Sequence, residues 1–202
     1  MDYYKKIFID IYKEIDGYKI SREARKKQSY YYIADTYGEV DFDSFYEILK
    51  LTEPKQNEIF YDLGSGVGKP SLTAYLGFNF SKIIGIEQLE DLYQSSKTAL
   101  ENLKKHSSNI CQEKINCKID FIHGDFNDYD FTDGDVIFIN SYYYFYYQLS
   151  SGLFLNKIKK LKKDSRIITT AMPIISNEFE IEKKGQFKFS WASEEIYLHR
   201  KI

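Results

Sequence analysis

The sequence predicts an α/β fold built on a mostly parallel sheet, and three observations carry that prediction. From about residue 58 onward, short apolar runs alternate with amphipathic helical stretches, as strands joined by crossover helices do. A glycine-rich turn, Gly64-Ser65-Gly66-Val67-Gly68, joins the first of those runs to the helix after it. The chain has 202 residues, enough for one domain and a short appendage, and no Ser/Gly/Pro-rich stretch divides it.

The elements follow in order. Tyr4, Ile7, Phe8, Ile11, Tyr12 and Ile15 recur at helical spacing and predict an amphipathic helix that stops at Asp16-Gly17. The polar stretch from Ser21 to Ser29, with Arg22, Arg25, Lys26 and Lys27, predicts a loop with a short helix and a plain charged surface. It leads through Tyr30, Tyr31 and Tyr32 to Thr36-Tyr37-Gly38-Glu39. Asp41 or Asp43 caps a helix carrying Phe42, Phe45, Ile48 and Leu49, which Pro54 ends. Residues 1–54 thus form an N-terminal helical segment with a loop, and residues 55–202 form the main domain. Strands are expected at about Glu58–Leu63, Lys82–Glu87, Cys117–Ile122, Asp135–Asn140 and Arg166–Ala171. Helices are expected over Leu89–Lys105 and around Leu149, Leu153, Ile158 and Leu161. Alternating Phe187, Phe189 and Trp191, followed by Ile196, Tyr197 and Leu198, predict a terminal hairpin whose antiparallel pairing closes the sheet.

Composition narrows the function. Apolar residues make up 43% and charged residues 29%, and 28 Lys plus Arg against 30 Asp plus Glu leave a net charge of −2, so no global basic field exists to hold nucleic acid. The aromatic run from Tyr142 to Tyr147 is far shorter than a bilayer span, and the N-terminus carries no apolar signal core. An intracellular, cytoplasmic protein is expected, nuclear if the source is eukaryotic, with no membrane partner. Cys111 and Cys117 form no Cys-x-x-Cys pair, and His106, His123 and His199 are scattered, so no metal site is expected. The Lys157, Lys159, Lys160, Lys162 and Lys163 cluster is expected to be a solvated helix face.

The strongest local signal is Phe60-Tyr61-Asp62-Leu63-Gly64-Ser65-Gly66-Val67-Gly68-Lys69. It lacks the Gly-x-Gly-x-x-Gly spacing of dinucleotide binders and the Gly-Lys-Ser/Thr ending of a phosphate loop. Asp62-x-Gly64-x-Gly66-x-Gly68 after a strand resembles the first motif of class I methyltransferases, which use S-adenosylmethionine. Glu87 ends the next strand 25 positions after Asp62, where one carboxylate can accept from both hydroxyls of a ribose. His123-Gly124-Asp125-Phe126, after the third strand, resembles that family's adenine-contacting motif, with Asp125 accepting from the amino group and Phe126 packing on the ring. At the end of the fourth strand, Asn140-Ser141-Tyr142-Tyr143 offers an amide and a phenol wall and loosely resembles the Asn-Pro-Pro-Tyr of amino-methylating enzymes.

Taken together, Asp35-Thr36-Tyr37-Gly38-Glu39-Val40, Phe45, Leu49, Phe60 to Gly68 and Gly85-Ile86-Glu87 resemble the catalytic core of the non-SET histone lysine methyltransferases, the disruptor-of-telomeric-silencing family. The resemblance covers roughly residues 30 to 145. It implies a Rossmann-like class I methyltransferase: a mostly parallel seven-stranded sheet with an antiparallel C-terminal hairpin strand, helices on both faces and S-adenosylmethionine as cofactor. In that family a Thr-Tyr-Gly-Glu loop closes over the methionine end of the cofactor, so Tyr37, Gly38 and Glu39 are assigned there. Asp62, Gly64, Ser65, Gly66, Gly68, Gln88 and Asn140 would line the cofactor, Glu87 would hold the ribose, and Asp125 and Phe126 the adenine. Asn140, Tyr142 and Tyr37 would face the transferred methyl as catalytic residues. Ser141 stands where the family has a second Asn, Tyr142 where it has Phe, and Lys69-Pro70 where it has small or amide residues. The sequence stops at Ile202 without the family's basic C-terminal extension, so stable nucleic-acid binding is not expected.

The expected reaction is in-line methyl transfer to an amine, most simply a protein lysine. A lysine of ordinary pKa, about 10.4, is protonated and cannot attack, so an apolar aromatic channel that lowers that pKa serves in place of a base. Tyr37, Tyr142 and Tyr143 are the expected walls. The alternatives are a class I methyltransferase of a small-molecule or nucleic-acid amine, and a non-catalytic subunit that binds the cofactor for a partner.

Overall fold

The computed structural model describes residues 2–27, 37–106, 110, 114, 116–140 and 152–202. Helix α1 (Asp2–Ile11) buries Ile7, Phe8 and Ile11 and ends one turn earlier than its apolar spacing suggests. The stretch expected to be mostly loop is a helix from its first residue: α2 (Gly17–Lys27) buries Gly17, Ser21 and Ala24 and packs against α5. Charge hides it in the sequence, because its buried stripe is made of small residues and its start is signed only by Asp16, whose Oδ1 accepts from the Lys19 N–H at 3.0 Å. Of the two caps considered for α3 (Phe42–Lys50), the structure uses Asp41, which accepts from the N–H of Ser44 at 2.9 Å.

The strands are β1 (Ile59–Leu63), β2 (Lys82–Glu87), β3 (Lys118–His123), β4 (Val136–Ile139), β5 (Arg166–Thr170), β6 (Phe179–Lys188) and β7 (Ser193–Lys201). The first five fall within a residue or two of their expected places, but the hairpin's first strand begins earlier and stops at Lys188, so Phe189 and Trp191, expected on it, lie in the turn that the Phe189 N–H closes by donating to the Ala192 carbonyl at 2.8 Å. Between them lie α4 (Lys69–Gly77), α5 (Glu90–Lys105) and α6 (Leu153–Ile158). Leu149, expected in the last of these helices, lies outside the described residues. The seven strands form one sheet in the order β3-β2-β1-β4-β5-β7-β6. Pairings from β3 through β5 are parallel, β7 lies antiparallel to β5, and β6 pairs with β7 as the outermost strand.

Alternation along the strands sends successive side chains to opposite faces. Phe60, Val136, Phe138 and Ile168 meet the α1, α3, α4 and α5 side, while Tyr61, Ile137, Ile139 and Ile167 meet Phe154 and Ile158 of α6 on the other. The chain winds outward from β1 through β2 to β3, then returns to place β4 on the opposite flank of β1. Connections leave the carboxyl ends of β1 and β4 in opposite directions, and a crevice opens between them. Among the described residues, no helix is long and apolar enough to cross a membrane.

Candidate active site

The turn after β1 is built to bring backbone, and little side chain, to that crevice. Gly64, Gly66 and Gly68 have φ of 80°, 56° and 87°, in the left-handed region where a side chain is strained. A Cβ on Gly64 would project into open space, with nothing within 4 Å, whereas one on Gly68 would strike the Phe121 ring at 2.5 Å. The first glycine therefore faces the crevice and the third packs against the sheet. The turn folds onto the end of β2: the N–H groups of Gly64 and Ser65 donate to the Ile86 carbonyl at 2.9 and 3.0 Å. Glu87 completes the clasp by accepting from the Gly66 N–H at 2.7 Å and the Leu89 N–H at 2.8 Å.

Two carboxylates beneath this turn are held away from their ordinary titration. Burial pushes Asp62 up to about 7, partly countered by the Ser71 hydroxyl and N–H, which donate to its Oδ2 at 2.7 and 3.2 Å. Its Oδ1 is buried and has no hydrogen-bond partner among the described residues, and the same holds for the Ser65 hydroxyl. Burial also raises the pKa of Glu87, while the N–H groups of Leu89, Gly66 and Gln88 pull it back.

A second wall comes from the loop before α3. Tyr37 donates its hydroxyl to Glu39 Oε1 at 2.9 Å, and Lys69, the first residue of α4, donates to Glu39 Oε2 at 2.6 Å. Burial, reinforced by Glu39, holds the Tyr37 hydroxyl protonated far above its ordinary range. The loop rests on the β6–β7 turn. The Ser190 hydroxyl donates to the Glu39 carbonyl at 2.7 Å and is also hydrogen-bonded to the Tyr18 hydroxyl. Gly38 lies so close to Trp191 that a Cβ would come within 2.2 Å of the indole. Trp191 in turn stacks on Phe189, with ring centroids 4.6 Å apart.

At the end of β4, Asn140 points its amide oxygen at the Thr170 hydroxyl of the neighbouring strand β5, 2.8 Å away. The amide is thereby fixed from outside its own strand.

One cleft brings together Tyr37, Gly38, Glu39, Gly64, Ser65, Gly66, Glu87 and Asn140 from the predicted set. Val40, Val67, Lys69, Pro70 and Phe138 also line it and were not singled out as site residues. For Lys69 the signal was present, a cation at the first position after the glycine turn. Thr170, Ser190 and Trp191 act through other residues and had no signal of their own. Several predicted residues lie off the cleft wall. Asp62 is fully buried under the turn, and Gly68 is the left-handed cap of α4. Gln88 is exposed, and Asp125 accepts from the Asn127 N–H at 2.8 Å to cap the 3₁₀ turn Phe126–Asp128. The Phe126 ring is 8% exposed and meets Phe154 edge-on at 6.0 Å. Tyr142 and Tyr143 lie outside the described residues.

The donor set suits S-adenosylmethionine. Gly64 leaves room for close approach, the Ser65 hydroxyl has no hydrogen-bond partner among the described residues, and the Glu87 carboxylate, accepting from N–H groups at 2.7 and 2.8 Å, keeps lone pairs for ribose hydroxyls. Two carboxylates, Glu39 and Glu87, against one ammonium, Lys69, give the wall a negative balance that favours a sulfonium and an α-ammonium.

A family model described as the histone methylation protein DOT1 matches residues 18–195. A histone-lysine N-methyltransferase, H3 lysine-79 specific, from Candida albicans is 30% identical over 145 residues, covering 68% of this chain and 10% of that protein. The chain thus spans about a tenth of the length of this fungal relative. A protein-lysine N-methyltransferase of Saccharolobus islandicus is 25% identical over 134 residues, 66% of this chain and 70% of that protein. The structure of magnesium protoporphyrin IX methyltransferase from Synechocystis, with bound S-adenosylmethionine, superposes with a TM-score of 0.57 at 14% identity, over 98% of this chain and 90% of that one. At that identity the likeness shows a shared methyltransferase fold.

Proposed function

Because the chain belongs to the family of the histone methylation protein DOT1, we propose that it transfers the methyl group of S-adenosylmethionine to an amine, and that the acceptor is a protein lysine side chain. The observation that carries this reading is the convergence of the glycine turn, Glu87, the Tyr37–Glu39 loop and Asn140 on one cleft at the point where the sheet reverses direction.

Bound S-adenosylmethionine supplies an activated methyl group on a sulfonium, so the protein's part is to bind, orient and exclude water. Glu87 accepts from the ribose hydroxyls while its own position is fixed by Gly66 and Leu89. Asp62 and the Tyr37–Glu39 loop hold the amino-acid end. Asp125 and Phe126 are assigned to the adenine through the family resemblance, from the end of β3 beside Glu87. Asn140, its amide held by Thr170, and Tyr142 orient the incoming amine. The aromatic wall keeps that amine neutral by denying its charged form solvation.

The test is calorimetry with S-adenosylmethionine and its demethylated product, followed by incubation of methyl-labelled cofactor with cell lysate. Binding of both ligands and protease-sensitive label are expected. Asn140→Ala combined with Tyr142→Ala should remove turnover while leaving cofactor affinity within about twofold. Absence of any affinity for either ligand overturns the cofactor assignment, and label released by nuclease alone overturns the lysine.

A further inference from the structure

The loop from Tyr37 to Val40 walls one side of the cleft and has no regular structure. On its outer side it is fastened through the Ser190 hydroxyl, which donates to the Glu39 carbonyl at 2.7 Å and accepts from the Glu39 N–H at 3.1 Å. The one proton of that hydroxyl is thereby committed, so the Tyr18 hydroxyl, bonded to the same oxygen, is the donor in that pair. With its proton given and both lone pairs filled, the Ser190 hydroxyl is saturated. Tyr18 is the second residue of α2 and stands 172 positions from Ser190, so the fastening ties the N-terminal helices to the closing hairpin across the loop. The Tyr18 ring also meets Tyr37 edge-on, with centroids 5.5 Å apart and an interplanar angle of 83°. Gly17 beside it lets the helix start press against the loop, since a Cβ there would come within 2.1 Å of Glu39 Oε1 and 2.4 Å of the Tyr37 hydroxyl.

The fastening is independent of what the cleft holds. Neither Tyr18 nor Ser190 is on the cleft wall, and Glu39 gives the fastening its backbone while its carboxylate serves Tyr37 and Lys69. It also lies at the surface: Tyr18 is 39% exposed and Ser190 is exposed, so water can take over these bonds when the loop lifts. We propose that Tyr18, Ser190 and the Glu39 backbone form a latch that sets the rate at which the cofactor enters and leaves, with Tyr18 and Ser190 as positioning residues that act through the loop. This rests on the cofactor reading above and deepens it by naming what controls exchange at that site. A latch that holds equally well with and without ligand lowers the lifted population by the same factor in both states. It therefore slows entry and exit together and leaves the affinity unchanged.

Surface plasmon resonance with S-adenosylmethionine and with its demethylated product gives both rates, and calorimetry gives the affinity. Tyr18→Phe keeps the ring on Tyr37 and removes only the hydroxyl. It should raise the association and dissociation rates together by about threefold, and Ser190→Ala should raise both by about tenfold, as expected for losing exposed hydrogen bonds. In each variant Kd should stay within about twofold of wild type. Ser190→Thr, which keeps a hydroxyl, should bring both rates back to within about twofold of wild type. If Ser190→Ala does not fold, Tyr18→Phe carries the test alone. A rise in the dissociation rate only, with affinity weaker by the same factor, means that these residues merely shape the wall against the ligand, and the proposal fails. Unchanged rates in the folded variants overturn it as well. A wild type that binds neither ligand overturns the cofactor reading itself.

Discussion

Asp62 has two oxygens with different fates: Oδ2 is taken by Ser71, and Oδ1 has no partner among the described residues. Its pKa, 3.8 in an ordinary setting, is pushed up to about 7 by burial. A carboxyl whose folded pKa is raised favours the folded state at low pH, and that advantage is lost as pH climbs from about 4 to about 7. Above that window the protein holds a buried charge whose value lies in what it binds. Asp62→Asn keeps an acceptor for Ser71 and removes the charge. It should raise the stability of the ligand-free protein by about 1–2 kcal/mol at pH 8 and by little at pH 4, because the buried amide offsets part of the gain. The same variant should weaken cofactor binding, as one acceptor for the α-ammonium is gone. Thermal melts of both proteins across pH 4–8 and calorimetry check both halves, and a gain over wild type no larger at pH 8 than at pH 4 contradicts the first. Asp62 and Glu87 were legible in the sequence because each ends a strand at an interval that a parallel sheet converts into adjacency. Thr170 was not, because its bond to Asn140 spans 30 positions and depends on which strands are neighbours.

At the scale of elements, the loop from Tyr37 to Val40 has no regular structure of its own and takes its shape from what it leans on. Ser190 and Trp191, in the turn between β6 and β7, hold it from one side, and Lys69 at the start of α4 holds it from the other. Overpacking a contact of this kind costs roughly 1–3 kcal/mol, and a loop yields more cheaply than two stacked rings. Gly38→Ala should therefore displace the loop and leave Trp191 on Phe189. The expected result is cofactor affinity about tenfold weaker with the melting temperature lowered by no more than about 3 °C. Equal affinity in the variant would mean that the loop does not touch the cofactor. Helix α2 marks the limit of pattern reading at this scale. Its buried positions are Gly17, Ser21 and Ala24, too small to register as an apolar stripe, and the helix is stabilised by packing on α5 rather than by its own sequence.

Across the whole molecule, the site and the stabilising charges lie at opposite ends of the strands. Glu58, just before β1, receives Arg166 of β5 in a two-pronged ion pair with side chains only 12% and 4% exposed. Removing one member of a buried pair strands the other, at a cost of about 3–5 kcal/mol. Glu58→Ala should lower the melting temperature by about 6–15 °C. Because β1 separates this pair from the glycine turn, cofactor affinity measured well below the transition should stay within about twofold of wild type. A large loss of affinity in the folded variant would show that the two ends of the sheet are coupled. By itself, the sequence determined the strand positions, the glycine turn and the acidic strand ends, since alternation of apolar runs and left-handed glycines are local properties of the backbone. Only the tertiary structure decided the company that Asn140, Lys69 and Gly38 keep. Thr170, Glu39 and Trp191 are distant along the chain, and their contacts exist because the sheet order and the closing hairpin bring them there.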